Sequence, residues 1–290
     1  MTTTPEVEAA ATATNLHYER SAEAFAAFLG DDVKYTCGLF ATGTESLDEA
    51  QQASLALIAA SLRLRGGEQV LDIGCGWGSL TLYLAREFGC HVVGVTPSAV
   101  QAEFIRARAR AAGVADLVEV VVGPFQSADL NDRRFDAVAM VEVVEHLPEH
   151  REPLRKAYRL LKRDGRLFIS AFCYRSTAHA DEFATRPASM HALGLFGFTA
   201  MVPLSQLVAE ISDAGFSIAS VIDTTSHYDR TMDHWQQRIM ANQKAIEAVE
   251  PGFAAELDRY FDTARASWGH TSKLYAVGAI RSRMGTPESW

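Results

Sequence analysis

The sequence predicts an α/β fold, a mostly parallel sheet with helices on both faces and a helical cap. Three observations carry that prediction. Short β-branched runs alternate with amphipathic stretches from residue 69 to residue 172, the pattern of repeated β-α units. A glycine-rich turn, Gly74-Cys75-Gly76-Trp77-Gly78, joins the first run to the first amphipathic stretch. And 290 residues that are 48% hydrophobic suffice to bury one large core.

Taken in order, residues 1–15 read as a disordered tail, and residues 16–290 as one domain that opens with cap helices over 16–65. Tyr18, Ala22, Phe25 and Phe28 or Leu29 recur at helical spacing, so residues 16–32 are expected to be a short helix. Leu47 to Leu62 is a second helix, with Ser46 as N-cap and Glu49 three residues on in the capping-box pattern. Gln69–Ile73 is the first strand and Ser79–Phe88 the helix after it. His91–Val95 and Ser98–Ala112 repeat the unit. Val118–Val122 and Phe135–Val141 are strands, Leu154–Leu161 is helical, and Arg166–Phe172 is a strand that starts after an Asp164-Gly165 turn.

Residues 174–202 break the alternation with Pro187, Gly194, Gly197 and an apolar patch that includes Phe196, Phe198 and Met201. This insert reads either as a lid over a hydrophobic acceptor or as a cap packed on the core. The chain resumes with helix Leu204–Ala214, strand Ser217–Asp223, helices Thr231–Glu247 and Phe253–Ala266, and strand Tyr275–Ile280.

Charge narrows the function. A net charge of −9 argues against nucleic acid, which needs clustered Lys and Arg to neutralise phosphates. It leaves at most a peripheral contact with anionic membranes, and no apolar run approaches the roughly 20 residues that span a bilayer. The first residues lack the basic-then-apolar layout of a signal peptide. Cys37, Cys75, Cys90 and Cys173 are scattered without a Cys-x-x-Cys pair. They are expected to be reduced thiols of a cytoplasmic protein with no metal site.

The glycine turn narrows it further. Glycines allow positive φ and let a ligand approach where a Cβ would clash. Their Gly-x-Gly-x-Gly spacing differs from the dinucleotide-binding pattern, and no Lys-Ser/Thr follows to make a P-loop. Asp72 ends the strand and puts a carboxylate beside the ligand. A carboxylate near a glycine floor suits a ligand that bears a cation and an amino acid, and S-adenosylmethionine is such a ligand.

Several separated stretches then resemble one group, the cyclopropane-fatty-acid and mycolic-acid cyclopropane synthases. They are His17-Tyr18 with Phe25 and Phe28, Tyr35-Thr36-Cys37-Gly38-Leu39-Phe40, Leu47 to Gln51 and Leu71 to Gly78. After these come Gly94-Val95-Thr96-Pro97-Ser98 with Gln101, Glu145-His146, and the block His227 to Trp235. The resemblance implies a Rossmann-like class I methyltransferase that transfers the methyl of S-adenosylmethionine to carbon. An alkene of a hydrophobic acceptor attacks the methyl, and the carbocation formed loses a proton to close a cyclopropane or give another methylated product. The acceptor it implies is an unsaturated fatty acyl chain, and two departures from the family pattern, Ser170 and the insert sequence Leu195-Phe196-Gly197-Phe198-Thr199, put a polyketide or terpenoid alkene close behind.

By position, the resemblance implies that Asp72, Gly74, Gly76 and Gly78 form the cofactor floor and that Tyr35 and Thr36 close over it. Thr96 and Gln101 reach the ribose, and Gly123 and Phe125 flank the adenine. It also implies a bicarbonate ion that takes the proton, held by a Cys, a Glu, a His and a Tyr. Cys37, Glu145 and Tyr228 match three of these, while Ser170 stands at the fourth position in place of His. Either bicarbonate is held more weakly, or Glu145 is itself the base. His17 is a further catalytic candidate. Tyr18, Phe40, Phe172 and Trp235 are candidate aromatic faces for the cation. Two rival readings stay open: a cyclase that binds S-adenosylmethionine without consuming it, and a small-molecule N- or O-methyltransferase.

Overall fold

The computed structural model describes residues 5–18, 20–130, 133–186, 199–265 and 268–282, with the side chains of residues 14–18 outside the description. Its sheet is built of β1 (Gln69–Ile73), β2 (His91–Thr96), β3 (Val118–Val122), β4 (Phe135–Val141), β5 (Leu161–Tyr174), β7 (Ser217–Asp223) and β8 (Ser272–Ile280). They run in the order β3-β2-β1-β4-β5-β8-β7, with the short β6 (Val202–Pro203) beside the end of β5. Strands β1 to β5 are mutually parallel, and β8 is antiparallel to both β5 and β7.

Alternation along the strands feeds two cores. Leu71 and Ile73 of β1 and Val138 and Met140 of β4 pack on one face with α6 (Arg151–Leu160) and α8 (Leu204–Asp213). Val70, Ala137 and Ala139 point the other way, onto α3 (Leu47–Ser61) and α4 (Ser79–Phe88). Helix α5 (Ala99–Ala111) covers the β2–β3 edge through Ala102, Ile105 and Ala109. Ser46 and Glu49 form the expected capping box on α3, a device worth about 1 kcal/mol.

The cap differs from expectation in its details. Residues 5–15 are not a tail: they are part of α1 (Pro5–Tyr18), an Ala-rich helix with Glu6 and Glu8 in its first turn, where carboxylates favour the helix dipole. The single helix expected over 16–32 is interrupted, because the Ser21 hydroxyl accepts from Glu23 N–H and starts α2 (Ala22–Leu29) afresh.

Strand β5 begins five residues before the expected Arg166. The Asp164-Gly165 turn sits inside it, where the β4–β5 register slips between Phe135 and Ala137 and Asp164 takes φ +61°. Of the insert, α7 (Thr177–Ala184) and β6 are described, while residues 187–198 lie outside the described residues.

The late helix starts and ends earlier than expected, as α9 (Thr225–Ala241), because the Asp223 carboxylate accepts from Thr225 N–H at 3.0 Å. It breaks at Asn242, and α10 (Gln243–Val249) and α11 (Phe253–Arg265) follow. Phe25, Phe28, Met232, Trp235, Phe253 and Phe261 join α2, α9 and α11 in an aromatic core beside the sheet. No helix among the described residues is long and apolar enough to cross a membrane.

Candidate active site

Parallel sheets bind ligands outside the carboxyl ends of their strands, and the main cavity opens there. Gly74, with φ +69°, turns the chain out of β1; a Cβ on it would lie 2.4 Å from the Val143 side chain. Gly74, Gly76 and Asp72 all line the cavity. The Asp72 carboxylate is buried and accepts from the Thr81 hydroxyl at 2.7 Å, and burial pushes its pKa up to about 7. No Lys or Arg pairs with it among the described residues, so a cationic ligand would supply the missing charge. Gly78 departs from expectation. It caps α4 and packs on Ile105, and it is not among the residues that line the cavity, although Trp77 and Ser79 on either side are.

Along the same wall, Thr96 donates to the Gln101 side chain at 2.6 Å, and both are buried. Gly123 and Phe125 follow β3 and line the cavity with Pro124. Lys156 holds their loop by donating to the carbonyls of Phe125, Gln126 and Ala128 at 2.6 to 3.2 Å. Tyr35 and Thr36 close the opposite side. A buried carboxylate, a backbone floor, a polar pair and a flat apolar slot fit S-adenosylmethionine.

Beyond the floor stands an acidic wall. Glu145 is 3% exposed. Its Oε1 accepts from Phe172 N–H at 3.2 Å, and its Oε2 has no hydrogen-bond partner among the described residues. Burial, with a contribution from the negative Glu142 nearby, raises its pKa to about 8. Sequence reading gives Glu142 no role beyond its place at a strand end. Its backbone takes φ +55°, its Oε1 accepts from Cys37 N–H at 2.9 Å, and burial lifts it to about 7 against the pull of Lys34. Lys34, missed altogether, is 1% exposed and donates to Thr36 Oγ1 at 2.5 Å and to Cys37 O at 2.6 Å. Nothing in the sequence marks Lys34, which stands between Val33 and Tyr35.

The four residues expected to share an anion are split. Glu145 and Tyr228 line the main cavity, whereas Cys37 and Ser170 line a smaller one beside it. Lys34 and Glu142 line both. Ser170 Oγ is buried, with no partner among the described residues. The Cys37 thiol points to Gly38 O at 3.1 Å, and burial drives its pKa far up, so it is no thiolate. The side chain of His17 lies outside the described residues.

The far end of the cavity is aromatic. Phe172, Tyr228 and Trp268 pack edge to face or tilted with centroids 4.8 to 5.6 Å apart, and Phe183 and Tyr260 also line the space. Of the expected aromatic faces among the described residues, only Phe172 reaches it. Phe40 stacks on His234 at 5.2 Å and Trp235 is fully buried in the aromatic core, because core packing claims both; the side chain of Tyr18 lies outside the described residues. Trp268 and Tyr260 carry no local motif that could have flagged them. The rest of the His227 block anchors the Tyr35–Phe40 loop: His227 Nδ1 accepts from Phe40 N–H and Thr231 Oγ1 from Gly38 N–H.

Comparison with known proteins agrees with this geometry. Residues 6–273 match the mycolic acid cyclopropane synthetase family. A probable fatty acid methyltransferase of Pseudomonas putida is 29% identical over 249 residues, 83% of this chain and 61% of that protein. The (S)-coclaurine N-methyltransferase of Thalictrum flavum is 29% identical over 225 residues, 77% of this chain and again 61% of the relative. The chain thus spans under two thirds of the length of these relatives. The cyclopropane synthase MmaA2 of Mycobacterium tuberculosis shares the fold with a TM-score of 0.80 at 20% identity, over 96% of this chain and 99% of that one.

Proposed function

Since the chain belongs to the mycolic acid cyclopropane synthetase family, we propose that it is an S-adenosylmethionine-dependent C-methyltransferase acting on a carbon-carbon double bond of a hydrophobic acceptor. The observation that carries this reading is one continuous cavity with a polar, glycine-floored end and an aromatic end. Glu145 Oε2 is buried on its wall, without a partner among the described residues. When bound, S-adenosylmethionine supplies an electrophilic methyl group.

An alkene is a poor nucleophile, so the protein's part is proximity and stabilisation of the cation formed. Asp72, Gly74 and Gly76 hold the amino-acid end of the cofactor, Thr96 and Gln101 meet the ribose, and Gly123 and Phe125 flank the adenine. Phe172, Tyr228, Tyr260 and Trp268 present ring faces and edges to the acceptor. Each ring face stabilises a cation by roughly 0.5–2 kcal/mol without trapping it. The proton leaving the carbocation passes to Glu145 Oε2 and then to solvent when product leaves. A carboxyl poised near pH 8 accepts readily, and cationic charge in the cavity draws it into its ionised form beforehand.

An N-methyltransferase is the second reading, favoured by the aromatic rings and two carboxyls that would also seat an amine. A cyclase would use the same cavity without consuming cofactor. The test is transfer of isotope-labelled methyl to two acceptor pools, phospholipid with unsaturated chains and a small-molecule extract, read by mass spectrometry. Label on an alkene-derived carbon in either pool supports the proposal. Label on nitrogen moves the protein to the second reading, and bound cofactor with no label leaves the cyclase.

A further inference from the structure

The bicarbonate ion that the family resemblance implies does not fit this site, and the reason is a residue of the chain itself. All four positions that would hold the ion gather around Glu142. Cys37 donates its N–H to it at 2.9 Å, and Ser170 O accepts from Glu142 N–H at 2.8 Å while its side chain lines the same small cavity. Glu145 and Tyr228 feel its charge from the main cavity. Lys34, buried beside it, brings a counter-cation.

We propose that the Glu142 carboxylate, with the buried Lys34 ammonium nearby, occupies the place of the diffusible anion, so that this chain carries its anion covalently and has no bicarbonate site. Glu142 is then a positioning residue. Once ionised, above about pH 7, its negative charge holds up the proton affinity of Glu145, the role the free ion would otherwise share. A second anion placed against it would meet a like charge and a backbone N–H already in use. Ser170 is consistent with this arrangement: with a carboxylate supplied by the residue that follows β4, a cationic or donating His on β5 has no free anion left to hold.

The positive φ of Glu142 shapes the experiment, because glycine is the residue that removes the carboxylate without backbone strain. Carbon-13 bicarbonate is titrated into wild type and Glu142→Gly, each saturated with S-adenosylhomocysteine, and binding is followed by NMR. Wild type should show no saturable binding, whereas Glu142→Gly, with Lys34 and the Cys37 N–H exposed, should bind bicarbonate. Saturable binding by wild type overturns the proposal. So does a Glu142→Gly protein that folds and binds S-adenosylhomocysteine yet takes up no bicarbonate. Should that variant not fold, the wild-type arm still decides.

The proposal rests on the reading of Glu145 as proton acceptor, but the binding measurement needs no acceptor and stands if the acceptor class is wrong. With a competent acceptor, stripping bicarbonate should leave wild-type turnover unchanged. Glu142→Gly should lose about 100-fold, with part regained on adding bicarbonate. Bicarbonate-dependent turnover by wild type would overturn the proposal.

Discussion

The two ends of the cavity are built from different materials. The floor at the strand ends is mostly backbone, with Gly74 and Gly76 shaping a loop and side chains such as Asp72 and Thr96 tied to near neighbours in sequence. The far end is entirely side chain, from Phe172 on β5, Tyr228 on α9, Tyr260 on α11 and Trp268 beyond it. A backbone site can change little without losing the turn that makes it. An assembly of rings from separate elements can be exchanged ring by ring. On the proposed function, the first therefore sets which cofactor is bound, and the second which acceptor.

The largest expected effect falls on the wall between the two ends. Glu145→Gln should cut methyl transfer by roughly 10²–10⁴-fold while leaving cofactor binding intact, as calorimetry with S-adenosylhomocysteine would show. Full activity in that variant would remove Glu145 as the base.

Gly74→Ala tests the floor alone. A left-handed alanine costs about 1–2 kcal/mol, and the overlap with Val143 adds about 1–3 kcal/mol. Cofactor affinity and melting temperature should both fall. An unchanged variant would mean that the loop has room the geometry denies.

Trp268→Leu tests the aromatic end alone. It should lower the rate by about 0.5–2 kcal/mol in barrier and alter acceptor preference, with cofactor affinity untouched. A matching loss of cofactor affinity would show that the two ends are not independent.

A last test varies pH. Asp72 and Glu142 hold their protons to about pH 7 and Glu145 to about 8, against roughly 4 in the unfolded chain. Unfolding between those limits releases protons, so the stability these groups contribute is present at low pH and is lost as pH rises toward 8. The free protein should melt higher at pH 5 than at pH 8, and Asp72→Asn should flatten part of that slope. A slope steeper in the variant would contradict the burial of Asp72.

Much of the floor was legible in the sequence because its chemistry is local. A strand, a glycine turn and a helix are consecutive, so Asp72, Gly74 and Gly76 declare themselves by spacing, whereas Thr96 and Gln101 take their roles only from the family resemblance. The capping box at Ser46 is equally local. Gly78 misled because a turn glycine can serve helix packing as well as a ligand, and only the position of Ile105 tells which. Tertiary structure alone decided the rest. Phe40 and Trp235 look as available as Phe172 in sequence, yet they point into the core because neighbouring helices cover them. Lys34 and Glu142 lie more than a hundred residues apart, and only β4 and the Tyr35–Phe40 loop, pinned by Thr231 and His227, bring them together. Local backbone preferences act over a few residues and can be read along the chain. The burial of a charge, or the facing of a ring, depends on which distant surface meets it.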